Sequence, residues 1–440
     1  MVVYKSMYKP NYINIRNFAD YVVKKFDKDI WTEAFRKALQ ESHYVYIPKG
    51  KYYIDDCIVL SSKIKIKAHN KAEICLTKET KTVLIRNADV IDGSKQLISD
   101  DQPITCDIHI EGGVWSTEYD KRAEYGKICA FDEKDSMHGV HALMLFSGVR
   151  NLHLSNMTFY HTPAFAIQLG RVNNFIVKKI KFIECYADGV HINGCVKNGI
   201  VYDISGEAGD DLVALNAYDW ANSTINQGPI ENIVINRINS KGRFFNLMRC
   251  LSGKTSEKEG SIDCYIKNIL IDDVRGVDVY KMYFQTPEYI GTPEGSSVGH
   301  MENITIQNLK VLKTRPADGT PNYLDANPIT GHYGVFEFGS NINGLTLKNI
   351  DVKLKGEEKY KDLEHLIVVG PKSYYIEEEN LEVFDPYVVS KIENLSFKNI
   401  KVNGKKLDDI MKYTKEIKFD RIYDSEYASG YGKIVNTIKI

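Results

Sequence analysis

The chain has 440 residues, 43% of them hydrophobic, which is enough to bury a sizeable core. Its 57 basic and 58 acidic residues leave a formal net charge of −1, so nothing in the charge favours nucleic acid or an anionic membrane as a partner. No apolar run approaches the roughly 18 residues of a membrane span, and residues 1–18 lack the apolar core of a signal peptide. We therefore predict a cytoplasmic protein that binds neither nucleic acid nor membrane.

The cysteines are scattered and include no C-x-x-C pair, so the ligand spacing of a zinc site is absent. His138 and His141 have a metal-like spacing, but no carboxylate triad accompanies them. We predict free thiols, which fit a reducing compartment, and neither a metal nor another cofactor. The eight cysteines are Cys57, Cys75, Cys106, Cys129, Cys185, Cys195, Cys250 and Cys264.

The first 60 residues differ from the rest of the chain. The apolar spacing of residues 29–39 predicts a helix, and residues 43–53 predict a strand, a turn at Pro48-Lys49-Gly50 and a second strand. The end of a solenoid exposes unpaired backbone and core. We therefore expect about residues 1–60 to form an N-terminal cap, and about residues 404–440, which are less periodic, to form a C-terminal cap.

A sequence motif of one asparagine followed by alternating apolar residues occurs eight times between the caps. The gaps between the lead asparagines are 23, 24, 34, 36, 35, 40 and 51 residues, which is a base period with growing insertions. This pattern predicts an all-β fold, a single right-handed parallel β-helix domain over residues 1–440. Leucine-rich repeats share the period, but their Leu-x-x-Leu-x-Leu signature is missing. The lead residues are Asn151, Asn174, Asn198, Asn232, Asn268, Asn303, Asn343 and Asn394.

A second column fixes the register of the coils. The segments 165–170, 188–193 and 211–216 align at a spacing of 23 residues. Alternation then predicts that Ile167, Val190 and Val213 stack inside the coil. In the next coil, Met248 falls in the inward stack. The outward residues predicted for these coils are Gln168, His191, Asn193, Ala214, Asn216 and Arg249.

Asp188 precedes the adjacent pair Asp210 and Asp211 by 22 and 23 residues, which is about one turn of the predicted coil. Stacked coils lie about 4.8 Å apart, so these carboxylates are expected to cluster. Clustered carboxylates separate into a proton donor and an ionised base, which is the pair that glycoside hydrolysis requires. An isolated aspartate in a turn more often caps the turn, but three at the repeat period favour a catalytic site.

These residues resemble a known family. The segments Ala187-Asp188-Gly-Val-His-Ile and Gly209-Asp210-Asp211-Leu-Val-Ala-Leu are similar to the Asn-Thr-Asp and Gly-Asp-Asp motifs of glycoside hydrolase family 28, the polygalacturonases. Thr162-Pro-Ala-Phe165 resembles the family's Ser-Pro-x-Trp element, and residues 33–38 and 45–52 resemble the opening of its superfamily. The resemblance implies that Asp210 is the general acid, and that Asp188 and Asp211 activate water for inversion at the anomeric carbon.

The candidate substrate-binding residues surround this cluster. Arg249 lies near the place of the family's Arg-Ile-Lys motif, and Trp220 is a candidate for stacking on a sugar face. Gln168, His191 and Asn216 point outward beside the aspartates; for Asn193 and Asn216 a structural amide ladder is the competing interpretation.

Two departures from the family bear on the substrate. The Gly-His-Gly motif is not found between Asp211 and Arg249, and no lysine stands at the second position after Arg249. Half of the implied clamp for a substrate carboxylate is therefore missing, which favours a neutral sugar or a uronate held differently.

We predict an inverting glycoside hydrolase with an oligosaccharide as its partner. The insertions between later repeats are expected to wall the groove, which favours exo-action on short α-linked chains. The competing functions are a Ca²⁺-dependent polysaccharide lyase and a non-catalytic carbohydrate-binding or structural β-helix. The sequence leaves the oligomeric state open and allows a homo-oligomer.

Overall fold

The structure of the chain is a computed structural model. It describes residues 11–78, 80, 82–89, 105–118, 142–162, 164–219, 223–241, 246–255, 260–277, 282–286, 291–292, 295–296, 299–313, 334–354, 365–370, 387–416, 418–423 and 426–440. Trp220, Cys129, His138 and His141, which the sequence singled out, lie outside these residues.

The fold is a right-handed parallel β-helix. Its one described α-helix is Thr32–Glu41, and 3-10 turns occupy Ile15–Tyr21 and Ile410–Tyr413. The strands up to the middle of the chain are Ile13–Asn14, Val23–Lys25, Lys28–Ile30, Tyr44–Ile47, Gly50–Ile54, Ile58–Leu60, Lys65–Ala68, Ala72–Leu76, Ile85–Asn87, Thr105–Glu111, Val114–Thr117, Ala142–Tyr160, Phe165–Cys185, Val190–Asn193, Val196–Ala208 and Asp211–Asn216. Those that follow are Ile230–Ser240, Asn246–Leu251, Gly253–Lys254, Asp263–Cys264, Ile266–Val277, Met282–Gln285, Gly291–Thr292, Gly295–Ser296, His300–Lys313, Gly334–Phe338, Asn341–Leu354, His365–Val369, Tyr387–Val402, Lys405–Lys406, Thr414–Glu416, Lys418–Tyr423, Glu426–Ile434 and Thr437–Lys439.

Each coil contributes to three parallel sheets, as the coil of residues 165–185 illustrates. Residues 165–170 lie in the first sheet, 172–178 in the second and 180–183 in the third. Arg171 and Lys179, with φ of 51° and 55°, turn the chain from one sheet to the next. The apolar side chains that face inward from all three sheets form one continuous core, so each coil is stable only against its neighbours.

The register predicted for the first sheet is confirmed. Ile167 pairs with Val190, Val190 with Val213, and Val213 with Met248, and all four side chains are buried. Gln168, His191, Ala214 and Arg249 consequently follow one another along the other surface of this sheet. The same ladder therefore sets both the core and the line of polar residues on which a site can be built.

The lead asparagines stack at a bend in the second sheet. Asn198, Asn232, Asn268 and Asn303 have φ between 54° and 59°, a left-handed conformation that asparagine adopts more readily than most residues. Each side-chain amide donates to the amide oxygen of the preceding coil, at 3.1, 2.9 and 3.0 Å along this series. We call these four residues the asparagine ladder.

Both ends of the β-helix carry elements that are not part of its regular coils. At the N-terminal end, Thr32–Glu41 buries Ala34, Phe35 and Ala38 against the core, and the two predicted strands form around Pro48. At the C-terminal end, Lys418–Tyr423 and Glu426–Ile434 form an antiparallel pair whose second strand extends the parallel sheet. None of the helices in the described segments is long and apolar enough to cross a membrane.

Candidate active site

Asp188 and Asp210 lie in two turns that stack on each other where the chain enters the first sheet. The Gly189 amide donates to the Asp211 carbonyl at 2.9 Å, and the Gly209 amide donates to the Ala187 carbonyl at 3.1 Å. A Cβ on Gly209 would lie 2.4 Å from the backbone of the coil below, so only glycine allows this approach. The close stacking of backbone brings aspartates of successive coils together.

The three predicted catalytic carboxylates form one cluster. One oxygen from each of Asp188, Asp210 and Asp211 lies within 4.8 Å of the others. Asp188 Oδ1 also accepts a hydrogen bond from the backbone amide of Asp211 at 3.0 Å, which fixes its orientation. The arrangement agrees with the spacing argument from the sequence; the catalytic roles of these residues remain a prediction.

Arg249 neutralises part of this cluster. Its Nη2 atom forms an ion pair with Asp211 and lies 3.5 Å from Asp210 Oδ2 and 3.8 Å from Asp188 Oδ2. Burial lowers the pKa of the Arg249 guanidinium, but the neighbouring carboxylates outweigh burial and hold this pKa well above its ordinary value. Arg249 was predicted to bind substrate; here its guanidinium is engaged by the aspartates.

His191 lies on the other side of Asp188. Its Nδ1 is 2.5 Å from Asp188 Oδ2, and its Nε2 is 3.0 Å from Asp219 Oδ2. The imidazole stacks on the Phe165 ring with centroids 3.9 Å apart and an angle of 9° between planes. Phe165 occupies, one coil earlier, the column position of Asp188, so the repeat itself supplies this contact.

His191 and Asp188 each stabilise the charged form of the other. Burial lowers the pKa of His191, but hydrogen bonds and charge from Asp188 and Asp219 outweigh it and raise this pKa to about 9. Burial raises the pKa of Asp188, whereas the hydrogen bond and charge of His191 and the charge of Arg249 outweigh burial and lower it. His191 is therefore a cation and Asp188 an anion near neutral pH.

Asn193 offers His191 a different partner. Its Nδ2 is 3.1 Å from His191 Nε2 and 3.4 Å from Asp219 Oδ2. A neutral imidazole would accept from Asn193 at Nε2, whereas a protonated one would donate to Asp219. We favour the protonated form because the contact with Asp219 is shorter and joins two charges in a site that excludes water.

Only two charged side chains of the cluster reach the surface. The side chains of Asp210 and Arg249 are 16% and 12% exposed, whereas those of Asp188 and Asp211 are 0% exposed. His191 and Asp219 are also buried. A ligand that approaches the cluster as it stands therefore meets Asp210 and Arg249 first.

Residues 223–228, which we call the covering segment, lie over the neighbouring part of the first sheet. The Ser223 carbonyl accepts from Gln168 Nε2 at 3.1 Å, and the Ile225 amide donates to Asn193 Oδ1 at 3.2 Å. Ile225 packs in a small apolar cluster with Phe165. The segment belongs to an insertion that was expected to wall a groove; it instead closes this part of the outer surface.

Two of the predicted substrate-binding residues are buried in this covered part of the first sheet. Gln168 is fully buried and its amide bonds Asn193 at 2.8 Å. Asn216 is also fully buried and donates to Asp219 Oδ2 at 3.0 Å. Both side chains contact protein rather than an open groove, so they support the site from behind; Trp220 lies outside the described residues.

Asp219 was not assigned a role by the sequence. It follows the strand Asp211–Asn216 by three residues, outside the repeating column, and its contact with His191 depends on how the chain leaves that strand. The available signal was an acidic residue in the loop that follows the strand beginning at Asp211. That signal is weak because acidic residues are frequent in loops.

Comparison with known proteins supports the fold. No family model matches the chain, and no curated protein matches its sequence. Among solved structures, the chain is similar to the A-module of the mannuronan C-5 epimerase AlgE6 of Azotobacter vinelandii (11% identity, 98% of this chain and 99% of that chain, TM-score 0.50).

Two exopolygalacturonases are further structural neighbours. The family 28 enzyme of Yersinia enterocolitica has 14% identity over 90% of this chain and 76% of its own, with a TM-score of 0.45. The hyperthermoactive enzyme of Thermotoga maritima has 12% identity over 98% of this chain and 92% of its own, with a TM-score of 0.47. At such identity a structural likeness shows the β-helix fold alone, so the chemistry must be argued from the site.

Proposed function

We propose that this protein is a glycoside hydrolase whose acid and base come from the aspartate cluster. The observation that carries the proposal is the convergence of Asp188, Asp210 and Asp211 within 4.8 Å, next to surface that Asp210 and Arg249 reach. A coil stabilised only by packing has no need of three clustered carboxylates, two of them fully buried, because buried charge costs free energy unless it is paired.

Asp210 is the proposed general acid. A proton donor must touch the glycosidic oxygen, and Asp210 is the most exposed carboxylate of the cluster formed by Asp188, Asp210, Asp211 and Asp219. Asp188 is ionised, which suits it to deprotonate the attacking water or to position it. In this proposal Arg249 moves toward a bound ligand oxygen and lets water reach Asp188 and Asp211, which are now fully buried beside its guanidinium.

Inversion at the anomeric carbon is a finer proposal that rests on the resemblance of the Gly-Asp-Asp segment to family 28. It does not follow from the spacing, because the carboxyl groups of inverting enzymes are in general about 6.5–9.5 Å apart. The nearest oxygens here lie within 4.8 Å. The anomer released first, followed by proton NMR, decides between inversion and retention.

We further propose a neutral, α-linked oligosaccharide as substrate, cleaved from a chain end. Arg249 is the exposed cation of the described cluster, and three aspartates already surround it. With Asp219 and His191 included, the described cluster holds four carboxylates and two cations. A uronate would have to compete with these aspartates for the Arg249 guanidinium, whereas a neutral sugar would not.

The competing lyase function would need Ca²⁺ on the same carboxylates. The Arg249 guanidinium lies among them, and a divalent ion bound there would have to displace it. Elimination would produce an unsaturated uronate that absorbs in the near ultraviolet, and a chelator would abolish it. Hydrolysis produces no such absorbance and withstands the chelator.

The test begins with a panel of nitrophenyl glycosides and of galactan, fructan and pectic oligosaccharides, with products separated by chromatography. We expect hydrolysis of a neutral substrate, and a fall in kcat of about 10²–10⁴-fold for Asp210→Asn. Asp203→Asn is the matched control, because Asp203 lies in the preceding coil in a left-handed conformation that asparagine tolerates. Full activity of Asp210→Asn on the best substrate would remove the proposal.

A further inference from the structure

Asp219 is a buried carboxylate that the proposed reaction does not use directly. It is 2% exposed, and its Oδ2 is the meeting point of three side chains. His191 Nε2 and Asn216 Nδ2 are each 3.0 Å from this oxygen, and Asn193 Nδ2 is 3.4 Å from it. A buried carboxylate is stable only where charge and hydrogen bonds compensate it, and these contacts contribute both.

The geometry around His191 favours an N–H donor at each ring nitrogen. A carboxylate can only accept hydrogen bonds, and His191 has a carboxylate at each ring nitrogen, Asp188 at 2.5 Å and Asp219 at 3.0 Å. A neutral imidazole carries one N–H and would leave one carboxylate facing a lone pair. The imidazolium satisfies both, and Phe165 fixes the plane of the ring by stacking.

From Asp219 the contacts continue as alternating charges to the surface. The order is Asp219, His191, Asp188, Arg249 and then Asp210 with Asp211. These are also the titratable and charged groups that face His191 and its two carboxylates in the described part of the site. His191 lies between Asp219 and Asp188, and Arg249 contacts Asp188, Asp210 and Asp211, so a change at the buried end alters the charge balance at the exposed end.

We infer that Asp219 and His191 form a positioning pair that holds Asp188 ionised and in place beside Arg249 and the Asp211 amide, and this role in catalysis rests on the proposed function. Asp219 is a positioning residue in this scheme, because it touches His191 and not the exposed surface. No group is consumed: the proton stays on His191, and the pair acts by charge and orientation.

Asp219→Asn tests the pair because asparagine keeps the size and removes the charge. The first readout is independent of activity: NMR titration of the His191 imidazole in the full chain, assigned by loss of its signal in His191→Gln. We expect Asp219→Asn to lower the pKa of His191, which is raised to about 9 with Asp219 present. An unchanged titration of His191 would overturn the inference, and so would a neutral His191 in the unmodified protein near pH 7.

Glu184→Gln is the matched control. The Glu184 carboxylate contacts the His161 ring where these coils turn, with side chains 43% and 29% exposed. Removing this carboxylate should leave the His191 titration and the hydrolytic activity unchanged. The comparison separates an effect of the buried pair from a general effect of losing one acidic residue.

The second readout is kinetic. If hydrolysis is found, Asp219→Asn should lower kcat by about tenfold or more with little change in KM. It should also lower the pH at which kcat declines on the alkaline side of its pH profile. Asp219→Glu should restore part of the activity if it restores the His191 titration. A lowered pKa of His191 without loss of kcat would overturn the role in catalysis. If no substrate is cleaved at all, the proposed function fails, whereas the titration still decides whether Asp219 charges His191.

Discussion

Two columns of polar side chains run along the same coils and are built in opposite ways. In the asparagine ladder the same residue type repeats, and the inner amides of Asn232 and Asn268 each donate to one neighbour and accept from the other. In the first sheet the column changes at every coil, from Gln168 to His191 to Ala214 to Arg249. One column is periodic and the other is not.

The chemistry of the side chains explains the difference. An amide is its own complement, so a ladder of asparagines can continue for as many coils as the chain provides. A carboxylate only accepts, so Asp188 and Asp211, which stand three residues before His191 and Ala214, need donors around them, and His191 and Arg249 of this column supply those donors. The coil does not need such a column for stability, which is why a break in the repeat points to function.

The largest expected effect comes from removing the cation that joins the aspartates. Arg249→Met should lower the free energy of unfolding by about 3–5 kcal/mol, because Asp188 and Asp211 remain buried without their counter-charge. Denaturant unfolding followed by circular dichroism measures the loss. Lys267→Met is the control on the second sheet: Lys267 lies 2.7 Å from Glu302, but both side chains are 38% exposed. No measurable loss is expected there, and equal losses for both variants would contradict the comparison.

A smaller effect is expected from pH, and its sign follows from His191. The pKa of His191 is about 9 in the folded chain against 6.5 for an ordinary histidine, so its contribution is complete below pH 6.5. As the pH rises through 9 the imidazolium loses its proton, and about 3 kcal/mol of stability is lost. Tm should therefore fall between pH 6.5 and 9.5. His191→Gln should show a flatter profile over this range, and the same slope in both proteins would sink the prediction.

The sequence predicted the regular part of the molecule well because a solenoid repeats its own register. The stack of Ile167, Val190, Val213 and Met248 followed from a spacing of 23 residues and from alternation alone. Each coil pairs with the next at the same offset, so agreement among several segments corrects the ambiguity of any single one. The meeting of Asp188 with Asp210 and Asp211 followed from the same offset.

The surroundings of the cluster could not be predicted in the same way. Periodicity gives the side of the sheet on which Gln168 lies, but not that the covering segment lies over it. Residues 223–228 belong to an insertion without a repeat, and their position depends on packing of Ile225 and on single hydrogen bonds. The partner of Arg249 was open for a related reason: the long side chain can reach either a ligand or the neighbouring coil, and spacing does not choose between them.

The smallest expected effect comes from a substitution in the asparagine ladder. Asn268 has φ of 57°, donates to Asn232 at 2.9 Å and accepts from Asn303 at 3.0 Å. Asn268→Ala loses both bonds and places a Cβ without a compensating polar group in the left-handed region, which costs about 1–2 kcal/mol. Asn268→Gly loses the same bonds but adopts this φ freely, so it should be more stable than the alanine variant by about 1 kcal/mol in denaturant unfolding. Equal losses in the two variants would mean that the amide bonds, rather than the backbone conformation, select asparagine. The ladder would then depend on its side-chain partners, as the column of the first sheet does. The two columns would then differ only in how far they are exposed to water.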